Sequence, residues 1–113
     1  MSNVSAAHVS ATLAKAGYPR ATEPNQTDSG YGDSGFFVHV EPVENLGPTV
    51  VVSQQVYEYA GDYSNRAREA VYGIVKEALD GYTGTLRQHG YVVEDWLRYD
   101  GVRLGLFVTG REG

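Results

Sequence analysis

Between Ser64 and His89 the apolar residues Ala67, Val71, Ile74, Val75, Ala78, Leu79, Tyr82 and Leu86 recur at i, i+3 and i+4 spacing. A helix of that length with one apolar stripe must lay the stripe against another layer. The flanking segments read as that layer. Strands are predicted over 36–40 and 49–59, joined by a loop from Pro42 to Pro48. Tyr91 to Thr109 is predicted to be a hairpin about Asp100-Gly101, a dipeptide suited to a two-residue type I′ turn. Ser5 to Ala16 reads as a short helix, with Ser5 as N-cap and Ala6, Val9, Leu13 and Ala16 on one face. The expected fold is a single α+β domain over 1–113 in the order α-β-β-α-β-β, two hairpins forming an antiparallel sheet with both helices on one face. Glycine costs about 1 kcal/mol relative to alanine inside a helix. With Gly73, Gly81 and Gly84 in the long helix, a kink is expected at Asp80-Gly81.

Both helices carry the same stop. Thr12 to Tyr18 parallels Thr85 to Tyr91, and each ends Leu-x₃-Gly-Tyr. Glycine suits the left-handed position of a Schellman motif, with the following tyrosine packing back on the leucine. Duplication of a helix–hairpin unit and two independent uses of a common helix end account for this equally well.

A chain of 113 residues has room for one modest core. With 42% hydrophobic and 12% aromatic residues it reads as globular. It has no apolar run near the ~20 residues of a membrane span, and its first residues lack the basic start and apolar stretch of a secretion signal. Cysteine is absent, which removes disulfide and thiolate chemistry and suits a reducing interior. The expectation is a soluble cytoplasmic chain. A net charge of −5 argues against broad, non-specific attachment to nucleic acid. Arginine outnumbers lysine seven to two, a GC-rich codon bias that points to an actinobacterial genome or one of its phages.

Residues 32–35, Gly-Asp-Ser-Gly, spell the surroundings of a serine-protease nucleophile. A serine nucleophile needs a base, a group orienting that base, and amides for the oxyanion. Here Phe36-Phe37 follow, and Asp-Ser-Gly recurs at 28–30, as turn-rich composition produces. Ser34 therefore reads as a turn residue, and no catalytic residue is assigned. Residues 19–35 are expected to form a long flexible loop, with Tyr31 at its tip as a candidate partner contact. His8, His39 and His89 lack zinc-site spacing. His39 and Glu41 share a strand face, but two ligands make no site. No nucleotide-binding motif is present, so neither a metal nor a cofactor is assigned.

The C-terminal hairpin holds a conflict. A two-residue turn pairs Tyr99 with Val102, Leu97 with Leu104 and Val93 with Val108, and sets Arg98 opposite Arg103. Like charges facing across strands are unfavourable. Either a carboxylate, from Glu94 or a neighbouring strand, compensates, or Arg98, Arg103 and Trp96 make a small anion-and-stacking patch. The same register points Asp95 inward; either Asp95 is paired or near an edge, or a bulge at Glu94-Asp95 turns Trp96 into the core, and the residues leave both open. Tyr57, Tyr59 and Tyr63 cluster where the second strand meets the long helix. They fit a sheet rim, ring buried and hydroxyl wet, as well as an interface.

The pattern Leu13-x₃-Gly17-Tyr18, Gly35-Phe36-x-Val38, Val50-Val51-Val52, Tyr82-x₃-Leu86-x₃-Gly90-Tyr91-x-Val93 and Leu104-x-Leu106-x-Val108 resembles small accessory proteins of actinobacterial phages and integrative elements. That resemblance covers most of the chain and carries over no catalytic residue. It implies a non-enzymatic accessory or regulatory protein that binds a host or phage protein, inhibition of a host factor being one such role. A virion component of tail-terminator type resembles the chain in its strand, long helix and terminal hairpin. A nucleic-acid module acting through the C-terminal hairpin is the third expectation. Exposed hairpin edges or the tyrosine cluster would serve a homodimer.

Overall fold

The structure, a computed structural model, describes residues 4–22 and 32–111. The elements follow the expected order: α1 (Ala6–Lys15), β1 (Gly35–Val43), β2 (Gly47–Gln55), α2 (Asn65–Gln88), β3 (Tyr91–Leu97) and β4 (Arg103–Arg111). The four strands form one antiparallel sheet in the order β1-β2-β4-β3. Val9 and Leu13 of α1 and Leu79, Tyr82 and Leu86 of α2 bury against Phe36, Val50, Val52, Val93, Leu106 and Val108. Alternate residues of each strand thus face one helical layer, as the strand period requires. No described helix is long and apolar enough to cross a membrane.

Local chemistry sets the helix ends. The Ser5 hydroxyl accepts from the His8 N–H at 3.4 Å, and the Ser64 hydroxyl from the Ala67 N–H at 3.1 Å. Gly17 closes α1 at φ +98°, with Gly17 N–H bonded to the Ala14 carbonyl and Tyr18 N–H to the Leu13 carbonyl. That is the Schellman pair of bonds. The Tyr18 ring then meets the Tyr82 ring edge-on at 4.9 Å.

The expected kink at Asp80-Gly81 is absent: α2 runs unbroken for 24 residues. Gly81 serves α1 instead. A β-carbon there would lie 2.8 Å from the Tyr18 hydroxyl oxygen, so glycine opens the space into which Tyr18 packs.

The first hairpin is tighter than the expected loop from Pro42 to Pro48. Its strands reach Val43 and Gly47 around Glu44-Asn45-Leu46, with Pro42 and Pro48 directly opposite. Two residues without N–H groups tolerate facing each other where no ladder bond is needed. At the other end β2 stops at Gln55, so Tyr57 and Tyr59 lie beyond the expected strand, in the segment leading to α2.

Both flanks of the expected loop 19–35 are pinned. Phe36 N–H bonds to the Pro19 carbonyl and Ala21 N–H to the Phe36 carbonyl, both at 2.9 Å. Thr22 N–H bonds to the Asp33 carbonyl at 3.0 Å. These bonds cover the free edge of β1 at its start. A β-carbon on Gly35 would fall 2.4 Å from the Pro19 carbonyl oxygen, so the second glycine of Gly-Asp-Ser-Gly permits a close backbone crossing. Tyr31 lies outside the described residues.

The second hairpin departs from its expected turn. Gly101 N–H bonds to the Arg98 carbonyl, and Arg98 N–H to the Val102 carbonyl, each at 2.8 Å. The loop is therefore the three residues Tyr99-Asp100-Gly101, with Gly101 at φ +87°. Leu97 pairs with Arg103, and a register shift follows before Trp96 meets Gly105. Val93–Val108, Glu94–Phe107 and Asp95–Leu106 pair as expected. Arg98 no longer faces Arg103, which removes the like-charge conflict. The bulge at Glu94-Asp95 is absent. Asp95 stays on the helix side beside Leu106, and Trp96 lies on the outer face, stacked on Phe107 at 5.5 Å.

Candidate binding cleft

The N-terminal half of α2 runs past the sheet core between two less regular pieces of chain, the 56–63 segment and the β3–β4 hairpin tip. Two adjoining cavities open there and share Val71 and Tyr72. The larger, about 410 Å³, has an apolar floor of Val71, Val75, Val102 and Leu104, and carries Lys76, Arg98 and Arg103. The smaller, about 240 Å³, is walled by Val56, Tyr59, Tyr63 and Ala67, with Arg68 and Asp62 beside them. Cavities of this kind, apolar with a few placed polar groups, are where proteins hold ligands or partner side chains.

The four cations differ in how they are occupied. Arg98 forks onto Asp100, Nε to Oδ1 at 2.9 Å and Nη2 to Oδ2 at 2.5 Å. The guanidinium pushes the Asp100 carboxyl down to about 2, while the carboxylate, with Tyr72 also contributing, raises Arg98. Arg103 donates from Nη1 to Asp80 Oδ1 at 2.6 Å, and this bond holds Asp80 below its usual range. Its Nε lies 2.9 Å from Asp95 Oδ1 off the N–H direction, a charge contact without a hydrogen bond. Asp80, Asp95 and Asp100 thus supply the carboxylates, which were expected from Glu94 or a neighbouring strand. Lys76 and Arg68 make no ion pair among the described residues.

The structure therefore divides the residues singled out in the sequence. Tyr59, Tyr63, Arg98 and Arg103 line the cleft. Trp96 does not join the two arginines, because it sits on the opposite face of the sheet. Tyr57 packs toward Gly32, and its N–H bonds to Ser34 Oγ at 2.8 Å. Ser34 in turn donates to Glu58 Oε2 at 2.7 Å, which lowers the Glu58 pKa. The serine hydroxyl clamps the 57–58 turn, and neither partner is an imidazole. His39 Nε2 and Glu41 Oε1 are 2.9 Å apart and use each other. Among the described residues no group of three or more metal-ligating side chains forms.

Sequence reasoning missed Arg68, Tyr72, Lys76 and Leu104. Tyr72 and Lys76 stand four apart on α2, outside its buried stripe, so an aromatic there was the readable signal. Leu104 lines the cleft because the hairpin register shifts next to it. Comparison with family models, with curated proteins and with solved structures returns no match.

Proposed function

We propose that this chain is a non-enzymatic binding protein whose cleft takes an acidic, partly apolar segment of a partner protein. One observation carries the reading. In a chain of net charge −5, four cations gather about one cleft, and two of them, Lys76 and Arg68, form no ion pair among the described residues, Lys76 acting on Asp80 only through its charge. Exposed tyrosines add contact area at low entropic cost, with Tyr63 88% and Tyr72 49% exposed. The sequence resemblance to accessory proteins of actinobacterial phages supports a regulatory role against a host factor. A nucleic-acid role is less favoured, because Trp96 stacks on the face away from Arg98 and Arg103.

The test uses two labelled amphipathic peptides of equal apolar content, one carrying glutamates and one lysines, read by fluorescence anisotropy. The acidic peptide is expected to bind, and the basic one not. Lys76→Glu and Arg68→Glu, both exposed positions, are each expected to weaken binding about tenfold without changing the far-UV circular dichroism. Equal binding of both peptides, or an unaffected Lys76→Glu variant, refutes the reading.

A further inference from the structure

The helical layer covers one face of the sheet, and among the described residues no helix packs on the other. Strand register places two rows on that outer face. His39, Val51, Phe107 and Glu94 pair in succession across β1, β2, β4 and β3. One step along the strands, Phe37 pairs with Ser53 and Gly105 with Trp96. Phe37 stacks on His39 at 5.0 Å, and Trp96 on Phe107 at 5.5 Å. Phe37 remains 43% exposed. These rows carry no lysine or arginine, which argues against nucleic acid. An aromatic patch with few charged residues is the composition of a protein interface core.

The order of residues in these rows says what covers them. Two sheets that pack face to face about a two-fold axis parallel to the strands bring β1 of one copy over β3 of the other. His39 then lies over the partner's Glu94, Phe37 over the partner's Trp96, and Phe107 over the partner's β2. The same contacts repeat with the copies exchanged, as an isologous interface requires. The imidazole meets a carboxylate, each end aromatic meets an aromatic, and the small Ser53 and Gly105 leave room between the aromatics. We infer that the outer face is the interface of a homodimer in which two copies stack sheet on sheet, with Phe37 and Trp96 as reciprocal cross-face partners and His39, already bonded to Glu41 on its own strand, facing Glu94. This inference is independent of the cleft, which lies on the helical side.

Four strands about 4.8 Å apart and roughly 20–25 Å long give a projected face of about 400–500 Å² per copy, with β2 and β4 paired at three positions. Side-chain relief adds accessible area, which places the contact at the small end of specific interfaces. Trp96 is the single tryptophan and sits in the contact, so its emission reports it directly.

The experiment is sedimentation velocity with parallel Trp96 emission across the micromolar range. A concentration-dependent dimer is expected, with emission moving to longer wavelength on dilution. Phe37→Glu is expected to weaken the dimer about tenfold or more. His39→Glu and Glu94→Arg should each weaken it, and the double variant should restore it, because the swap places opposite charges face to face. A monomer with constant emission throughout, or a dimer indifferent to Phe37→Glu, overturns the inference. So does a double variant no tighter than either single one, and that arm stands even where Phe37→Glu does not fold.

Discussion

Three glycines in one helix give an internally controlled test of how the two helices meet. A β-carbon at Gly73 or Gly84 would meet nothing within 4 Å, whereas at Gly81 it would lie 2.8 Å from the Tyr18 hydroxyl oxygen and 3.4 Å from Cζ. Alanine in a helix interior is favoured over glycine by about 1 kcal/mol, partly by narrowing the unfolded ensemble. Gly73→Ala and Gly84→Ala should each stabilise by about that amount. Gly81→Ala gains the same term but must displace the Tyr18 ring. That ring is held edge-on against Tyr82, with its hydroxyl 3.5 Å from Thr85 Oγ1. Loss of the aromatic contact costs about 0.5–1.5 kcal/mol. A strained rotamer costs about 0.5–1.5 kcal/mol more. The net effect at Gly81 is then between about zero and 2 kcal/mol destabilising. Thermal unfolding by circular dichroism reads the difference, since about 1 kcal/mol moves the midpoint of a domain this size by roughly 3–6 °C. Gly73→Ala and Gly84→Ala should raise the midpoint by that much, and Gly81→Ala should leave it unchanged or lower it. If Gly81→Ala stabilises as much as the other two, Tyr18 is not seated against α2 and the packing of α1 is wrong.

Two further outcomes follow from single side chains. Burial pushes the Tyr82 phenol up to about 12, with its hydroxyl bonded to Gln54. The unfolded chain releases that proton near 10 while the folded chain keeps it, so stability should fall as pH rises from 10 towards 12. Alkaline unfolding should begin in that window and be less steep in Tyr82→Phe, a variant that also takes the donor from Gln54 Oε1 and loses about 1 kcal/mol at neutral pH; an unchanged alkaline limb rejects the assignment. Ser34→Ala should loosen the 57–58 turn by about 1 kcal/mol. It should also let the Glu58 carboxyl titrate at a higher pH by NMR, since the Ser34 hydrogen bond is the largest cause of its lowered pKa; an unmoved Glu58 resonance removes the clamp.

How much of this was legible in the residues varies by element. The α2 stripe, the glycine stops and the serine caps could be read because each is a local preference acting within a few residues. The turn at Asp100-Gly101 could not. A glycine with positive φ serves a two-residue loop and a three-residue loop equally well. In the three-residue form Arg98 binds Asp100 within the loop, and Arg103 reaches Asp80 on α2 and Asp95 on β3. Asp80 precedes Arg103 by 23 residues, a separation no turn rule spans. The cleft was half legible: Tyr59, Tyr63, Arg98 and Arg103 were singled out, but the hairpin register decides that they share a cavity while Trp96 does not.

By itself the sequence determined the number, type and order of the elements, because hydrophobic period, caps and glycine stops act along the chain. Tertiary structure alone decided which face Trp96 takes, why Gly81 stands in an unbroken helix, and which charges meet in the cleft. Those outcomes depend on atoms brought together from distant segments, where one residue of register moves a side chain from one face of the sheet to the other.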